Sequence, residues 1–230
     1  MIGAALLAGA LCSFASVRAE AQEAEAAWEK APALRRSGFM VGLMPVFSLG
    51  QASGYPLDLK KIGRERFYTE SNIAVGGVGL FWLGGALSDW LTFGLGTQGA
   101  ALAPSDLSGG AYGVVFRTEL FPLFGLGGHL REFGVGFDVG ASVAAFMPSA
   151  EPEKAVIDGG AASHLGVSIF YEGFRVWHLS AGPGLYADYT WSDTIRYGNV
   201  GLGFRTVLYT GAAAKKKSAA APTLKQRARF

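Results

Sequence analysis

One cysteine, Cys12, stands in the whole 230-residue chain. A single thiol excludes an internal disulfide framework and any cysteine-based metal cluster. Charge is also scarce: 20 Lys and Arg against 18 Asp and Glu. The near-balance gives no electrostatic case for a nucleic-acid partner. Placement says more than the total. Eight charged residues lie in positions 1–36 and six in 212–230, so the long middle of the chain holds only 24. Most of those gather in short intervals: Asp58 to Glu70, Arg131–Glu132, Glu151 to Asp158 and Asp193 to Arg196. A soluble surface needs roughly 25–35% charged residues spread over it, and the middle section falls well short. Long apolar runs are missing too. Ile73 to Leu87 is free of charge but too short for the ~20 residues of a spanning helix, and alternating glycine is poor helix material.

What the chain does have is glycine, 34 residues, about double the usual ~7%, and a period of two. In EFGVGFDVGASVAAF, Glu132 to Phe146, one parity reads Phe133, Val135, Phe137, Val139, Ala141, Val143, Ala145. The other reads Glu132, Gly134, Gly136, Asp138, Gly140, Ser142, Ala144. Such alternation is a β-strand with two chemically different faces. Eight such candidates fall between Ser37 and Thr210. The first, GFMVGLMPVFSLG, carries Pro45, which has no ladder N–H and belongs at a bulge or with its nitrogen turned from a partner. The second, SNIAVGGVGLFWLGG, is apolar on both parities and leaves its register open. The others begin at Trp90, Ala111, Glu132, Ser163, Val176 and Tyr197.

A soluble sheet would set Lys, Glu, Thr and Gln opposite its Phe/Val/Leu face. Here the opposite face is Gly, Ala and Ser with isolated Arg117, Glu119, Asp138, His164, His178, Asp188 and Arg205. Glycine covers nothing and weakens a strand, so a face of it fits a cramped interior. The expected arrangement is therefore inverted: bulky apolar side chains toward lipid, small and charged ones inside. Unpaired charges in a confined lumen are costly, so Arg117 and Arg205 are expected to pair with Glu119, Asp138 and Asp188. Closure removes the sheet edges that lipid cannot satisfy. The expected fold is all-β, a closed up-and-down antiparallel transmembrane barrel of eight strands over 37–210.

The joins read as alternating. Gln51 to Glu70 is long and charged, GGALSD tight, Pro104 to Gly110 polar and Pro122 to Arg131 apolar. Glu151 to Gly160 is polar, Glu172 to Arg175 tight and Trp191 to Arg196 short. Two aromatic belts are expected where rings meet the head-group level. Phe39, Trp82, Trp90, Phe121, Phe133, Phe174, Trp177 and Tyr209 would form one; Phe47, Tyr112, Tyr189, Trp191 and Tyr197 would form the other. Outside the barrel, 1–21 reads as a secretory signal peptide, with an apolar run from Ile2 to Val17 and small residues at Ala19 and Ala21. It lacks Lys or Arg before that run. Residues 22–36 read as a polar periplasmic lead-in, and 211–230 as a basic tail.

Signal, alternating strands, glycine-rich lumen face and aromatic strand ends together resemble the small bacterial outer-membrane β-barrel proteins, the OmpA-like and OmpX/OmpW-like group, over roughly 37–210. The resemblance implies the outer membrane of a Gram-negative bacterium with periplasmic termini. It also implies outer-membrane lipid and lipopolysaccharide as surroundings, and insertion by the barrel-assembly machinery. That machinery reads an aromatic residue ending the last strand. Phe230 is terminal, but KQRARF lacks alternating apolar residues; Tyr209, with Val207 and Arg205 on its parity, ends the better strand.

Chemistry is thinly marked. Gly-rich pieces such as GGVGLFWLGG have no following helix and no GKS or GKT, so they are not phosphate loops. His129, His164 and His178 lack metal-ligand spacing; no catalytic residue, metal or cofactor is expected. Some small barrels are lipid hydrolases or acyltransferases, but His164 and Ser168 stand about 13 Å apart along a strand, and His178 and Ser180 lack a local motif. In LDLKKIGRERFY, Leu57 to Tyr68, the cations Lys60, Lys61, Arg64 and Arg66 are candidate contacts for anionic lipopolysaccharide or a surface partner. The functional expectation is a structural or surface-interaction barrel closed by its charges. The alternative is a narrow porin-like channel for small or hydrophobic solutes.

Overall fold

The computed structural model describes residues 35–103, 106–150 and 155–211. The expected signal peptide, nearly all of the lead-in and all but the first residue of the basic tail lie outside them. Eight long strands dominate: β1 (Gly38–Gly54), β2 (Ala74–Ser88), β3 (Leu91–Leu102), β4 (Leu107–Leu120), β5 (Phe133–Pro148), β6 (Ala162–Tyr171), β7 (Leu179–Trp191) and β8 (Ile195–Tyr209). Each pairs antiparallel with its sequence neighbours, and β8 returns to pair with β1. The sheet is a closed barrel, and no long strand has a free edge. Among the described residues no helix is long and apolar enough to cross a membrane.

Alternation decides which way each side chain points. On β1, Phe39, Leu43, Phe47 and Leu49 are exposed, while Met40, Met44, Val46 and Ser48 are buried. On β5, Phe137, Val139 and Val143 are exposed, and Asp138, Ser142 and Ala144 are buried. The same inversion runs around the whole wall, with Leu95, Val114, Ile169, Leu185 and Leu202 outward. A continuous apolar exterior of this extent has no counterpart on a soluble monomer; acyl chains satisfy it, because they need no polar partners.

β2, whose parity could not be read, settles with Val75, Phe81 and Leu83 outward and Val78, Leu80 and Trp82 inward. Trp82 is thus not a belt residue. Its ring lies over Gly42 of β1, where any Cβ would collide with it. Phe121, Tyr197 and Tyr209 are also buried; these four corrections leave belts of Phe39, Trp90, Phe133, Phe174 and Trp177 at one end, and Phe47, Tyr112, Tyr189 and Trp191 toward the other.

The joins are corrected as well. GGALSD is mostly strand, and the β2–β3 turn is only Asp89–Trp90. Glu172–Arg175 is not the turn: a short strand, Phe174–Val176, continues toward a hairpin at Trp177–His178. Pro45 and Pro183, the prolines inside the long strands rather than at an end, sit where ladders are broken. The β1–β8 register skips Met44 and Pro45 and then resumes unchanged. Pro183 of β7 pairs with Phe204, and its other side faces the interruption between β6 and Phe174–Val176. A residue without an N–H loses nothing there.

Candidate functional site: a charged plate across the lumen

An eight-stranded barrel has an interior only just wide enough for side chains, and this one is filled in layers. At the end reached by the β1–β2 and β5–β6 joins, Leu102, Leu107, Phe146, Ile157, Ile195 and Tyr197 are buried together. Phe146 and Tyr197 meet at 5.0 Å. Toward the other end, where the chain enters and leaves the barrel, the filling is ionic.

That ionic layer is a chain of alternating sign. Arg117 of β4 donates to Asp138 of β5 at 2.6 Å and to Glu119 at 2.9 Å. Glu119 accepts from Arg205 of β8 at 2.7 Å. Arg205 also binds Glu172, just past β6, and Glu172 accepts from Arg36 at 2.6 Å. Arg36 then reaches Glu132 at 2.9 Å, which also binds Arg35 and Arg131. Arg36, Arg117, Glu119, Asp138 and Arg205 are each fully buried. Neutral groups complete the coordination: Thr92 donates to Glu119 at 2.8 Å, Arg117 to Ser168 at 2.9 Å, and Tyr209 to Glu172 at 3.1 Å. Burial without partners would be prohibitive for each of these ions; paired and hydrogen-bonded, they can stay charged.

Aromatic faces cover what the carboxylates leave open. Arg117 lies 4.6 Å from the Trp82 ring and Arg205 4.2 Å from Phe170. Arg36 stacks on Phe121 at 3.5 Å, a favourable desolvated cation–π geometry. Glycine makes the room: a Cβ on Gly136 would stand 2.8 Å from the Arg117 guanidinium.

The plate gathers four of the five charges singled out in the sequence: Arg117, Glu119, Asp138 and Arg205. Asp188 is not among them. It lies beside the plate, in the register row of Gly166 and Asp138, accepting from Gln98 at 2.8 Å and Asn199 at 2.9 Å, and no cation pairs with it among the described residues. The plate instead recruits Arg36, Glu132 and Glu172, all from outside the long strands. Arg36 reads as lead-in and Glu172 as the start of a tight join, while Glu132 reads as the first residue on the inward face of the fifth strand but without an expected partner. Their signal was their parity with the lumen faces: Glu132 continues the inward face of β5, and Glu172 that of β6.

Arg36 ties the mouth together. Its backbone N–H and that of Arg35 donate to the Asp89 carboxylate at 2.7 Å, and its guanidinium donates to the Asp89 carbonyl at 2.7 Å. The β2–β3 turn, the approach to β5 and the end of β6 are thereby joined to the segment before β1. The rim beyond is crowded with cations, and burial together with Arg131, Arg175 and Arg36 holds the Arg35 guanidinium below its ordinary value.

The proposed acid–base candidates do not meet. His164 contacts Thr190 at 3.0 Å, while Ser168 is taken by Arg117 and Ser180 accepts from Arg175 at 2.8 Å. Neither serine has a histidine partner among the described residues. Lys60, Lys61, Arg64 and Arg66 lie on the β1–β2 join outside the lumen; Lys61 pairs with Asp58 at 3.6 Å, and Arg66 stacks on Phe67 at 4.6 Å.

No family model and no curated protein matches the chain. Among solved structures it is similar to Neisserial surface protein A, with a TM-score of 0.46 and 14% identity over 74% of this chain and 96% of that one. It is also similar to Ail, the attachment invasion locus protein of Yersinia pestis, at 0.46 and 10% over 74% and 98%. The outer membrane protein OprG from Pseudomonas aeruginosa gives 0.40 and 9% over 76% and 97%. At these values the likeness carries no functional argument, and the fold rests on the closed strand order itself.

Proposed function

We propose that this chain is an integral outer-membrane β-barrel of a Gram-negative bacterium, with periplasmic termini and a structural or surface-interaction role rather than a transport role. One observation carries the reading: an apolar wall faces outward while a continuous chain of buried ion pairs crosses the lumen from Asp138 to Glu132. The first feature needs lipid. The second, with the Trp82 and Phe170 rings against its guanidinium groups, supports a lumen closed to solutes.

A second reading, a narrow porin-like conduit, is favoured by one feature. Gln98 Oε1, Asp138 Oδ1, His164 Nε2 and Tyr186 OH are buried without a protein partner, and such groups call for water.

Two measurements separate these readings from each other and from a soluble fold. Detergent-extracted protein is expected to migrate faster on a gel before boiling than after it; a urea-extractable, unshifted band overturns the membrane barrel. In a planar bilayer the protein is expected to be silent, and steady single-channel steps would favour the conduit.

A further inference from the structure

Within the eight long strands the charged residues are Arg117, Glu119, Asp138, Asp188, Arg196 and Arg205, and all but Arg196 are buried. Arg196 therefore stands alone as a charge on the outer wall. It sits at the β7–β8 end, directly opposite Trp191 on β7 and Ser53 on β1. No carboxylate lies within salt-bridge range of it among the described residues. An arginine placed on a wall that otherwise faces hydrocarbon is expensive unless it reaches the head-group level and meets an anion there.

The surroundings define that anion. Trp191 and Tyr189 stack at 5.7 Å with their planes only 20° apart, forming a flat aromatic floor beside the guanidinium. With Ser163, Leu165 and Ser192 they line an open groove of about 760 Å³, within the ~300–1,000 Å³ of small-molecule sites. Arg196 also borders a second hollow with Tyr55 and Tyr68, whose rings meet edge-on at 5.2 Å. Down the wall from the groove, Val167, Val200 and Leu202 are exposed and apolar. From the join inward, Ser192 comes first; Arg196 and Ser163 lie level with Trp191; Tyr189 and Leu165 lie one pleat deeper; and hydrocarbon follows.

We infer that this groove seats a phosphorylated glycolipid of the outer leaflet. The planar guanidinium donates to phosphate oxygens in fork geometry. The Trp191 and Tyr189 faces and the Ser163 and Ser192 hydroxyls suit a sugar ring, and acyl chains follow Leu165 and Val167. A simple anionic phospholipid supplies the phosphate but no sugar for the aromatic floor. Asp193 shares the groove's edge and opposes the anion, so it sets an upper limit on affinity. The inference rests on the outer-membrane reading above and places the β7–β8 turn at the cell surface.

The test is lipid retention by the detergent-purified full chain, read by native mass spectrometry. The probes are diphosphorylated lipid A, its dephosphorylated form and phosphatidylglycerol. Lipid A is expected to be retained about tenfold better than its dephosphorylated form, the scale of one charge-assisted contact, and better than phosphatidylglycerol, which offers a phosphate but no sugar. Arg196→Gln should abolish the preference over the dephosphorylated form, Trp191→Leu should reduce the preference over phosphatidylglycerol, and Asp193→Asn should strengthen retention of lipid A. Equal retention of phosphatidylglycerol, or an unchanged preference in Arg196→Gln, overturns the inference. Each variant is first checked for heat-modifiable gel mobility. Loss of that property in the unaltered chain would defeat the membrane barrel itself, whereas a heat-modifiable chain without lipid preference would defeat only the glycolipid site.

Discussion

Arg205 shows at the scale of one residue how the lumen is held. Its guanidinium spans Glu119 and Glu172 and lies against Phe170, so its removal leaves two buried carboxylates each short of one cation, Glu119 with Arg117 alone and Glu172 with Arg36 alone. Breaking one side of a buried pair costs about 3–5 kcal/mol, while an apolar replacement of the whole set can be neutral. Arg205→Ala is therefore expected to destabilise the barrel by about 3–5 kcal/mol in urea unfolding from detergent or vesicles. Glu119→Gln combined with Arg205→Met should be milder than Arg205→Ala, because the amide can still accept from Arg117 without a stranded charge. If both variants lose the same stability, the cost comes from packing around Trp82 and Phe170 and not from the ions. Asp188 illustrates what parity leaves out. It shares the inward face with Asp138, yet on β7 it stands well beyond Gly182, the register partner of Arg205, while Arg117 is taken by Asp138 and Glu119, and it pairs with Gln98 and Asn199. A period of two gives the face of a residue; its height along the barrel comes only from counting in from the correct strand end.

At the scale of elements, Arg36 is the join that the strands do not supply. It links the Asp89 turn, the approach to β5 at Glu132 and the end of β6 at Glu172 to the segment before β1. Arg36→Ala is expected to speed amide hydrogen exchange at 88–91, 131–133 and 171–174 while the β1–β8 ladder stays protected. Uniform loss of protection across all strands would instead make Arg36 part of the global core. The strands themselves were legible because alternation is local, and seven of the eight read correctly as to face. β2 did not, since both its parities are apolar. What turns Trp82 inward is the hollow left by Gly42 on a different strand, a cross-strand fact that no window of sequence contains. Glu172 and Arg36 escaped for a related reason: charge in a join or a lead-in reads as solvated; Glu132 stood on the inward parity of its strand, but its cation, Arg36, lies outside any strand pattern.

For the whole molecule, the question is whether the charged plate is a dry partition or the wall of a water-filled path, and ionic strength distinguishes the two. Ions in solution screen exposed charges over ~10 Å at 0.1 M and ~3 Å at 1 M, but screen buried pairs far less. The pairs from Asp138 to Arg36 have no exposed side chain, whereas the rim pair of Arg131 with Glu132 is partly open. If the plate is dry, raising salt from 0.05 to 1 M should move the temperature at which the gel-shifted band is lost by no more than the rim accounts for, about 1 kcal/mol or ~2–4 °C. A hydrated path would admit ions to Arg117 and Arg205, and the loss temperature would fall steeply with salt. In that case Arg205→Ala should also change the salt dependence, because one of the screened cations would be gone while Arg117, Glu119 and Asp138 remain. A small shift in the unaltered chain, unchanged in that variant, is the outcome that the closed lumen requires.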